Sequence, residues 1–288
     1  MARPGSRERT PARRARLAAA LAAVALGAHA QESLQLARAD GATVAARAYR
    51  PAAACAGVAI VSHGAGGSAS GYRYLAEALR RDGWLAVVPR HDESGFAAVS
   101  RRVVGKGIRG GLVDIVTDPA AYRARFADIA AALAWAAPLC ESHRSVLVGH
   151  SMGAATAMLE AGAANRLGLG GADRFDAYVA ISPQGPGSIF PPGAWHAIAK
   201  PVLFVTGTRD GALEGDWTSR RLPFDDSAPG CKWLAVIDDA THLQFAGLGA
   251  SAQTERLTEV VVGAFVDGVR QGRCGTPPAA PKLAVQSH

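Results

Sequence analysis

Charge is scarce in this chain: Asp, Glu, Lys and Arg make up 19% of its 288 residues, against 49% hydrophobic. That balance excludes a disordered chain and leaves enough apolar side chains for one sizeable core. Long apolar runs are scarce too. The run at 17–27 is eleven residues, well short of the roughly twenty that a membrane-crossing helix needs. No pair of His or Cys has metal-ligand spacing, so no metal is expected. No nucleic-acid-binding motif, internal repeat or second domain is visible, and nothing asks for a cofactor.

The formal charge of +7 suggests a polyanion partner until its position is considered. Residues 1–30 hold six Arg and one acid; the remainder carries 25 Lys+Arg against 23 Asp+Glu. Nucleic acid is therefore not expected as a partner. The same thirty residues have the layout of a secretory signal: Arg13, Arg14 and Arg16, then the apolar run 17–27, then Ala28-His29-Ala30 as a small-x-small cleavage site. A plain Ala-rich leader, or a start codon placed too early, is the competing reading. The expectation is a periplasmic or secreted protein, with no stable membrane insertion once the signal is removed.

Beyond residue 30, short apolar runs alternate with helical patterns. Runs at 57–62, 84–89, 145–149, 177–181, 202–206 and 233–237 mostly lack polar alternation, as parallel strands buried on both faces do. Residues 43–49 alternate more and predict an outer antiparallel strand. Helices are predicted at 71–81, 119–136, 152–164 and 254–270. In the last, Leu257, Val261, Phe265 and Val269 form one apolar stripe. This order predicts an α/β fold, a mostly parallel central sheet with helices on both faces and ligands beyond the carboxyl ends of the strands. Two long connections, 90–118 and 182–200, leave such ends and could wall a site. The basic Gly-rich stretch 101–109 suggests a flap or a solvated segment. The Pro/Ala-rich tail 275–288 is expected to be disordered, which leaves 31–274 as the catalytic domain.

The chemistry centres on Gly149-His150-Ser151-Met152-Gly153. A buried run precedes this G-x-S-x-G pattern and a helix follows it. A strand–Ser–helix turn is tight enough that only small residues fit two positions either side of the Ser. The strained backbone holds the hydroxyl clear of the sheet, and the helix N-terminus favours developing negative charge. A second motif, His63-Gly64-Ala65-Gly66-Gly67, follows run 57–62. It lacks the Lys and Ser/Thr of a phosphate-binding P-loop. The chain resembles the α/β-hydrolase superfamily over roughly residues 55–270, and within it the dienelactone-hydrolase-like esterases and platelet-activating-factor acetylhydrolases.

That resemblance implies the order nucleophile, acid, base, hence Ser151, Asp210 and His242. Asp210 follows run 202–206, with Asp216, Asp238 and Asp239 as rivals. His242 follows run 233–237, and imidazole is the natural base near neutral pH. The resemblance also implies backbone N–H groups of Ala65 and Met152 as the oxyanion hole, with His63 structural. His150 is expected behind Ser151, and His143 and His196 at the surface. His91, Trp195 and Trp217 are candidate substrate-lining residues, although the tryptophans could equally be core anchors.

The implied reaction is hydrolysis of a small-molecule or polymeric carboxylic ester through an acyl-enzyme. An amidase or peptidase, an acyltransferase and a non-catalytic binding module of the same fold are the alternatives. Dienelactone hydrolases use Cys where this chain has Ser151, so dienelactone itself is disfavoured. In this fold runs 57–62 and 145–149 are parallel neighbours, and the last helix returns to the start of run 233–237. The implied disulfides are therefore Cys55–Cys140 and Cys231–Cys274, against a reading of four free thiols.

Overall fold

The structure, a computed structural model, describes residues 1–2, 31–213 and 215–288. The expected signal features at 13–30 lie outside the described residues. Among the described residues, nine strands form one sheet: β1 (Gln31–Ala37), β2 (Thr43–Tyr49), β3 (Gly57–Ser62), β4 (Trp84–Pro89), β5 (Ser145–His150), β6 (Ala177–Ile181), β7 (Val202–Arg209), β8 (Lys232–Thr241) and β9 (Leu283–Ser287). Their spatial order is β1-β2-β4-β3-β5-β6-β7-β8-β9. The six from β4 through β8 are parallel. β1, β2 and β9 are antiparallel flanks.

The parallel strands are mainly apolar through their middles because both faces are covered there. Val58 and Ile60 of β3 enter the core on one side, with Tyr122, Ile129 and Met158. Ala59 and Val61 enter the other, with Leu75, Leu257 and Phe265. The first layer is formed by α2 (Phe96–Val103), α3 (Gly107–Val116), α4 (Pro119–Ala136) and α5 (Met152–Glu160). The second is formed by α1 (Arg73–Arg81) and α7 (Ala252–Arg270); a one-turn helix, α6 (Leu222–Asp225), lies between β7 and β8. Helix α4 starts where Asp118 accepts a hydrogen bond from the Ala120 N–H at 2.8 Å, with Pro119 at the first position. The stripe Leu257, Val261, Phe265 and Val269 packs α7 against the sheet.

Four expectations are corrected. The tail is not disordered: β9 pairs with β8 from Trp233↔Ser287 to Ile237↔Leu283. Without it β8 would be an edge strand with unpaired backbone groups, and Leu-Ala-Val-Gln-Ser is a short apolar segment that caps that edge. Lys232 and His288 exchange backbone hydrogen bonds at the end of the pair. Second, β2 is antiparallel but not outermost, since β1 covers it. Third, connection 90–118 is the helical pair α2 and α3, turned at Gly105 and Gly107, both with positive φ. Helix α5 also ends earlier than expected, because Gly162 adopts φ 95° and Ala163 N–H bonds back to Met158.

β3 and β5 pair from Val58↔Ser145, which brings their entries together. Disulfide Cys55–Cys140 bridges that edge with a Cα separation of 5.2 Å, and Cys231–Cys274 ties the end of α7 to the start of β8 at 5.4 Å. The bridges close sequence separations of 85 and 43 residues. Loops of that size correspond to about 4 kcal/mol each in the chain-entropy model. The Cys55→Ser/Cys140→Ser and Cys231→Ser/Cys274→Ser double variants are each expected to lower the urea-unfolding free energy by about 2–5 kcal/mol. Non-reducing peptide mapping that returned a Cys55–Cys231 peptide or four free thiols would contradict both pairings.

Candidate active site

Strand β5 runs into α5 through Ser151, whose backbone sits at φ 55°, ψ −117°. Few residues adopt that conformation without a compensating fit. The fit is steric. A Cβ on Gly149 would lie 2.0 Å from the Gly153 carbonyl oxygen, and one on Gly153 would lie 2.0 Å from that of Ser62. Neither position can carry a side chain. The Ser151 N–H is anchored to the Ile181 carbonyl at 2.9 Å, so β6 fixes the turn from the other side.

Three side chains from three strand ends meet there. His242 Nε2 lies 3.0 Å from Ser151 Oγ, and His242 Nδ1 lies 2.9 Å from Asp210 Oδ1. Asp210 is fully buried, and its Oδ2 accepts from Thr206 Oγ1 at 3.0 Å. Strand β8 continues to Thr241, one residue before His242, so the base is carried on a strand end. The rival carboxylates are engaged elsewhere. Asp216 caps a 3-10 helix through the Thr218 N–H, Asp238 accepts from Thr208, and Asp239 pairs with Lys282. Among the described residues, nothing hydrogen-bonds the N–H of Ala65 or of Met152, and Ala65 borders the same cavity as Ser151.

That cavity has a volume of about 370 Å³. Leu112, Val113 and Val116 of α3 wall one side, and Pro186 and Ile189 of connection 182–200 wall another. Both long connections therefore border it. Helix α3 is held over the cavity by Arg109, which donates to the Leu213 carbonyl at 2.9 Å. The apolar pairs Leu112-Val113 and Ile115-Val116, split by Asp114, were the sequence signal for this wall, obscured by the glycines before them.

The three substrate candidates fall outside the lining. His91 is fully buried, with Nδ1 2.8 Å from Asp128 and Nε2 2.9 Å from Ser62. Its position at a strand end suggested exposure, but connection 90–118 folds back over it. Trp195 is a core anchor with its ring 5.1 Å from Phe190. Trp217 opens the 3-10 helix Trp217–Arg221, which presents Ser219 and Arg220 to the cavity instead.

Arg220 carries no signal in the sequence that marks it for the site. It is 3% exposed. Its Nε lies 3.0 Å from Asp210 Oδ1; Nη1 donates to the carbonyls of Ser182 and Pro183, and Nη2 to that of Gly211 at 2.6 Å. Nη2 is also 3.1 Å from His242 Nδ1. With the Nδ1 proton directed at Asp210, that last approach is a contact between donors, and Asp210 decides the tautomer. Arg220 supplies the countercharge for a carboxylate buried under the site.

The sequence model of the alpha/beta hydrolase family matches residues 58–285. The chain belongs to that family. Its mostly parallel nine-stranded sheet with helices on both faces fits that fold. Solved structures similar to it include an esterase from Pyrococcus furiosus at 16% identity, with 85% of this chain and 93% of that chain covered and a TM-score of 0.55. An esterase domain from Rhodothermus marinus matches at 15%, with 84% and 98% covered and 0.55. A dienelactone hydrolase from Anabaena variabilis matches at 18%, with 81% and 97% covered and 0.55. At these identities the likeness is one of fold. No curated protein matches the chain.

Buried histidines surround the hydrolase centre. His63 donates from Nδ1 to the Gly64 carbonyl at 2.7 Å and accepts the His91 N–H on Nε2 at 3.0 Å. His150 lies behind Ser151, with Nδ1 2.7 Å from Tyr72 Oη and its ring 4.7 Å from that of His242. Burial, helped by Arg125, lowers His63 to about 3. It holds His91 and His150 well below the usual imidazole value. Asp128 moves the other way, to about 7, through burial and the nearby Glu93.

Two predictions follow from these buried groups. Arg220→Met removes the countercharge of Asp210 and should cost about 3–5 kcal/mol of stability, with Arg220→Lys intermediate; an Arg220→Met protein within about 1 kcal/mol of the parent in urea would refute the countercharge role. For pH, the folded state keeps His63, His91 and His150 neutral where the unfolded chain protonates them, so their contribution is full above about 6.5 and lost as pH falls. Asp128, protonated in the folded state up to about 7, has the opposite sign and offsets one proton. Unfolding near pH 5 should therefore take up about two protons net from these four groups, read as a Tm that falls between pH 6.5 and 5. A Tm that rises over this interval contradicts the assignment.

Proposed function

We propose that this α/β hydrolase cleaves carboxylic esters through an acyl-enzyme on Ser151. The reading is carried by one observation: Asp210, His242 and Ser151 form an unbroken hydrogen-bonded line, with 2.9 Å and 3.0 Å contacts, at the mouth of an apolar cavity. Ser151 Oγ attacks the ester carbonyl while His242 Nε2 accepts its proton, and Asp210 steadies the imidazolium. The negative charge on the carbonyl oxygen is met by the unpaired N–H groups of Ala65 and Met152. His242 then returns the proton to the departing alcohol. Water, deprotonated by the same imidazole, releases the acid and restores Ser151.

The apolar cavity favours an ester with one compact hydrocarbon portion. Two of the similar structures are named as esterases, which inclines the choice toward esters over amides. Export to the periplasm or beyond belongs to the same proposal. Its support is the signal-like sequence at 13–30 and two disulfides that an oxidising compartment would preserve. Among the described residues, no helix is long and apolar enough to cross a membrane.

The test is a fluorophosphonate adduct mapped by mass spectrometry, followed by kinetics on matched p-nitrophenyl esters and anilides. The adduct is expected on Ser151, esters are expected to exceed anilides, and Ser151→Ala should lower kcat by about 10⁴–10⁶-fold. An adduct elsewhere, or turnover that survives Ser151→Ala, rejects the mechanism; faster anilide cleavage turns the assignment to an amidase.

A further inference from the structure

Behind loop 63–67 lies a polar cluster that the mechanism above does not use. Arg125, from the middle of α4, is fully buried. Its Nη1 donates to the His63 carbonyl at 2.7 Å and to Ser62 Oγ at 3.2 Å, its Nε donates to Ser94 Oγ at 2.9 Å, and its Nη2 reaches the Gly64 carbonyl at 3.5 Å. His91 continues the cluster from Ser62 to Asp128, which Arg38 meets at 3.3 Å. Ser62, His91 and Asp128 have the composition of a second triad. All three are sealed from solvent, however, and Ser62 Oγ is held between His91 and Arg125, so no substrate can meet it. A buried guanidinium is costly, and an apolar residue of similar length would fill the space more cheaply.

We infer that Arg125, with His63, is a positioning device for the oxyanion-hole donor at Ala65. The inference rests on the acyl-transfer reading given above. The Gly64 carbonyl and the Ala65 N–H belong to one planar trans peptide and point in opposite directions. Fixing the carbonyl therefore aims the N–H. The carbonyl is fixed by His63 Nδ1 at 2.7 Å and faces Arg125; the next peptide is fixed by Gly66 N–H on the Ser94 carbonyl at 2.8 Å. Ser94 is also the residue that Arg125 Nε holds. Both sides of Ala65 are thus tied to one cation, and the Ala65 N–H is left without a partner. The Gly64 carbonyl, bonded by His63 at 2.7 Å, also lies 3.5 Å from the Arg125 cation, whose field polarises this peptide and favours donation by the N–H on its far side. Burial lowers Arg125 to about 10, so the cation persists at working pH.

The test compares a p-nitrophenyl ester with its thionoester, whose sulfur is a poor hydrogen-bond acceptor and draws little from the hole. Arg125→Lys keeps the charge but loses the fork. It is expected to lower ester kcat by about 10–100-fold, with KM within about threefold and thionoester kcat changed less than about threefold. Ser94→Ala removes a single hydroxyl from a chain that otherwise packs as before, and is expected to lower the ester-to-thionoester ratio by about 3–10-fold. It decides the matter if Arg125→Lys does not fold. Equal losses on both substrates, or a lower Tm with an unchanged ratio, overturn the inference. Failure of the underlying reading looks different: the parent chain would turn over neither ester and take no adduct on Ser151.

Discussion

A missing atom governs the geometry of the site. Gly153 lies against the Ser62 carbonyl so closely that a Cβ would come to 2.0 Å from its oxygen. Gly149 lies against Gly153 in the same way. This contact lets α5 begin directly beneath the end of β3, and so brings loop 63–67 beside Ser151. Gly64 repeats the theme, since a Cβ there would be 3.3 Å from that of Ser151. The strained φ of Ser151 is held by backbone crowding from two neighbouring strands, and the hydroxyl needs no other support. Strain of this kind persists only where the surroundings over-determine it.

Around that turn, charge is arranged in layers. Asp210 and Arg220 form a buried pair under His242, and Arg125 sits behind loop 63–67. Each cation gathers carbonyl oxygens from strand-end loops: Ser182, Pro183 and Gly211 for Arg220, His63 and Gly64 for Arg125. Buried ion pairs are poor sources of net stability. Their value lies in geometry, because a planar fork with fixed donors locks irregular backbone that has no ladder to join. Both loops are of that type.

The parts of the molecule that repeat a simple pattern were legible from the sequence. Buried parallel strands are apolar runs, α4 carries its own cap and proline, and the glycine-flanked Ser151 stands between a strand and a helix, while the order of Ser151, Asp210 and His242 was implied by the family resemblance. The parts that depend on tertiary partners were not. The tail at 275–288 is Pro- and Ala-rich, and its strand exists because β8 offers a free edge. The α2–α3 pair is interrupted by five glycines across 95–111, two of them at the turn, and composition alone suggested a loop. Arg220 and Arg125 are invisible for the same reason: a single Arg has no periodic signature, and burial of a guanidinium is decided by which carbonyls the fold leaves unpaired. His91, Trp195 and Trp217 erred in the opposite direction, because nearness to a strand end does not determine which way a side chain turns.

The chemistry and the cavity are therefore built from different material. Ser151, Asp210 and His242 stand on strand ends fixed by the sheet and by crowded glycines. One wall of the cavity is α3, which rests on the site through Leu112, Val113 and Val116 and is tied across it by Arg109 to the Leu213 carbonyl. Val104, just before the helix, and Ile108, in its first turn, are exposed at 80% and 72%, so its outer face contributes little to the core. Elements with few buried contacts open at lower free energy than core strands. Changes in α3 can thus reshape the cavity while the sheet keeps Ser151, Asp210 and His242 in register.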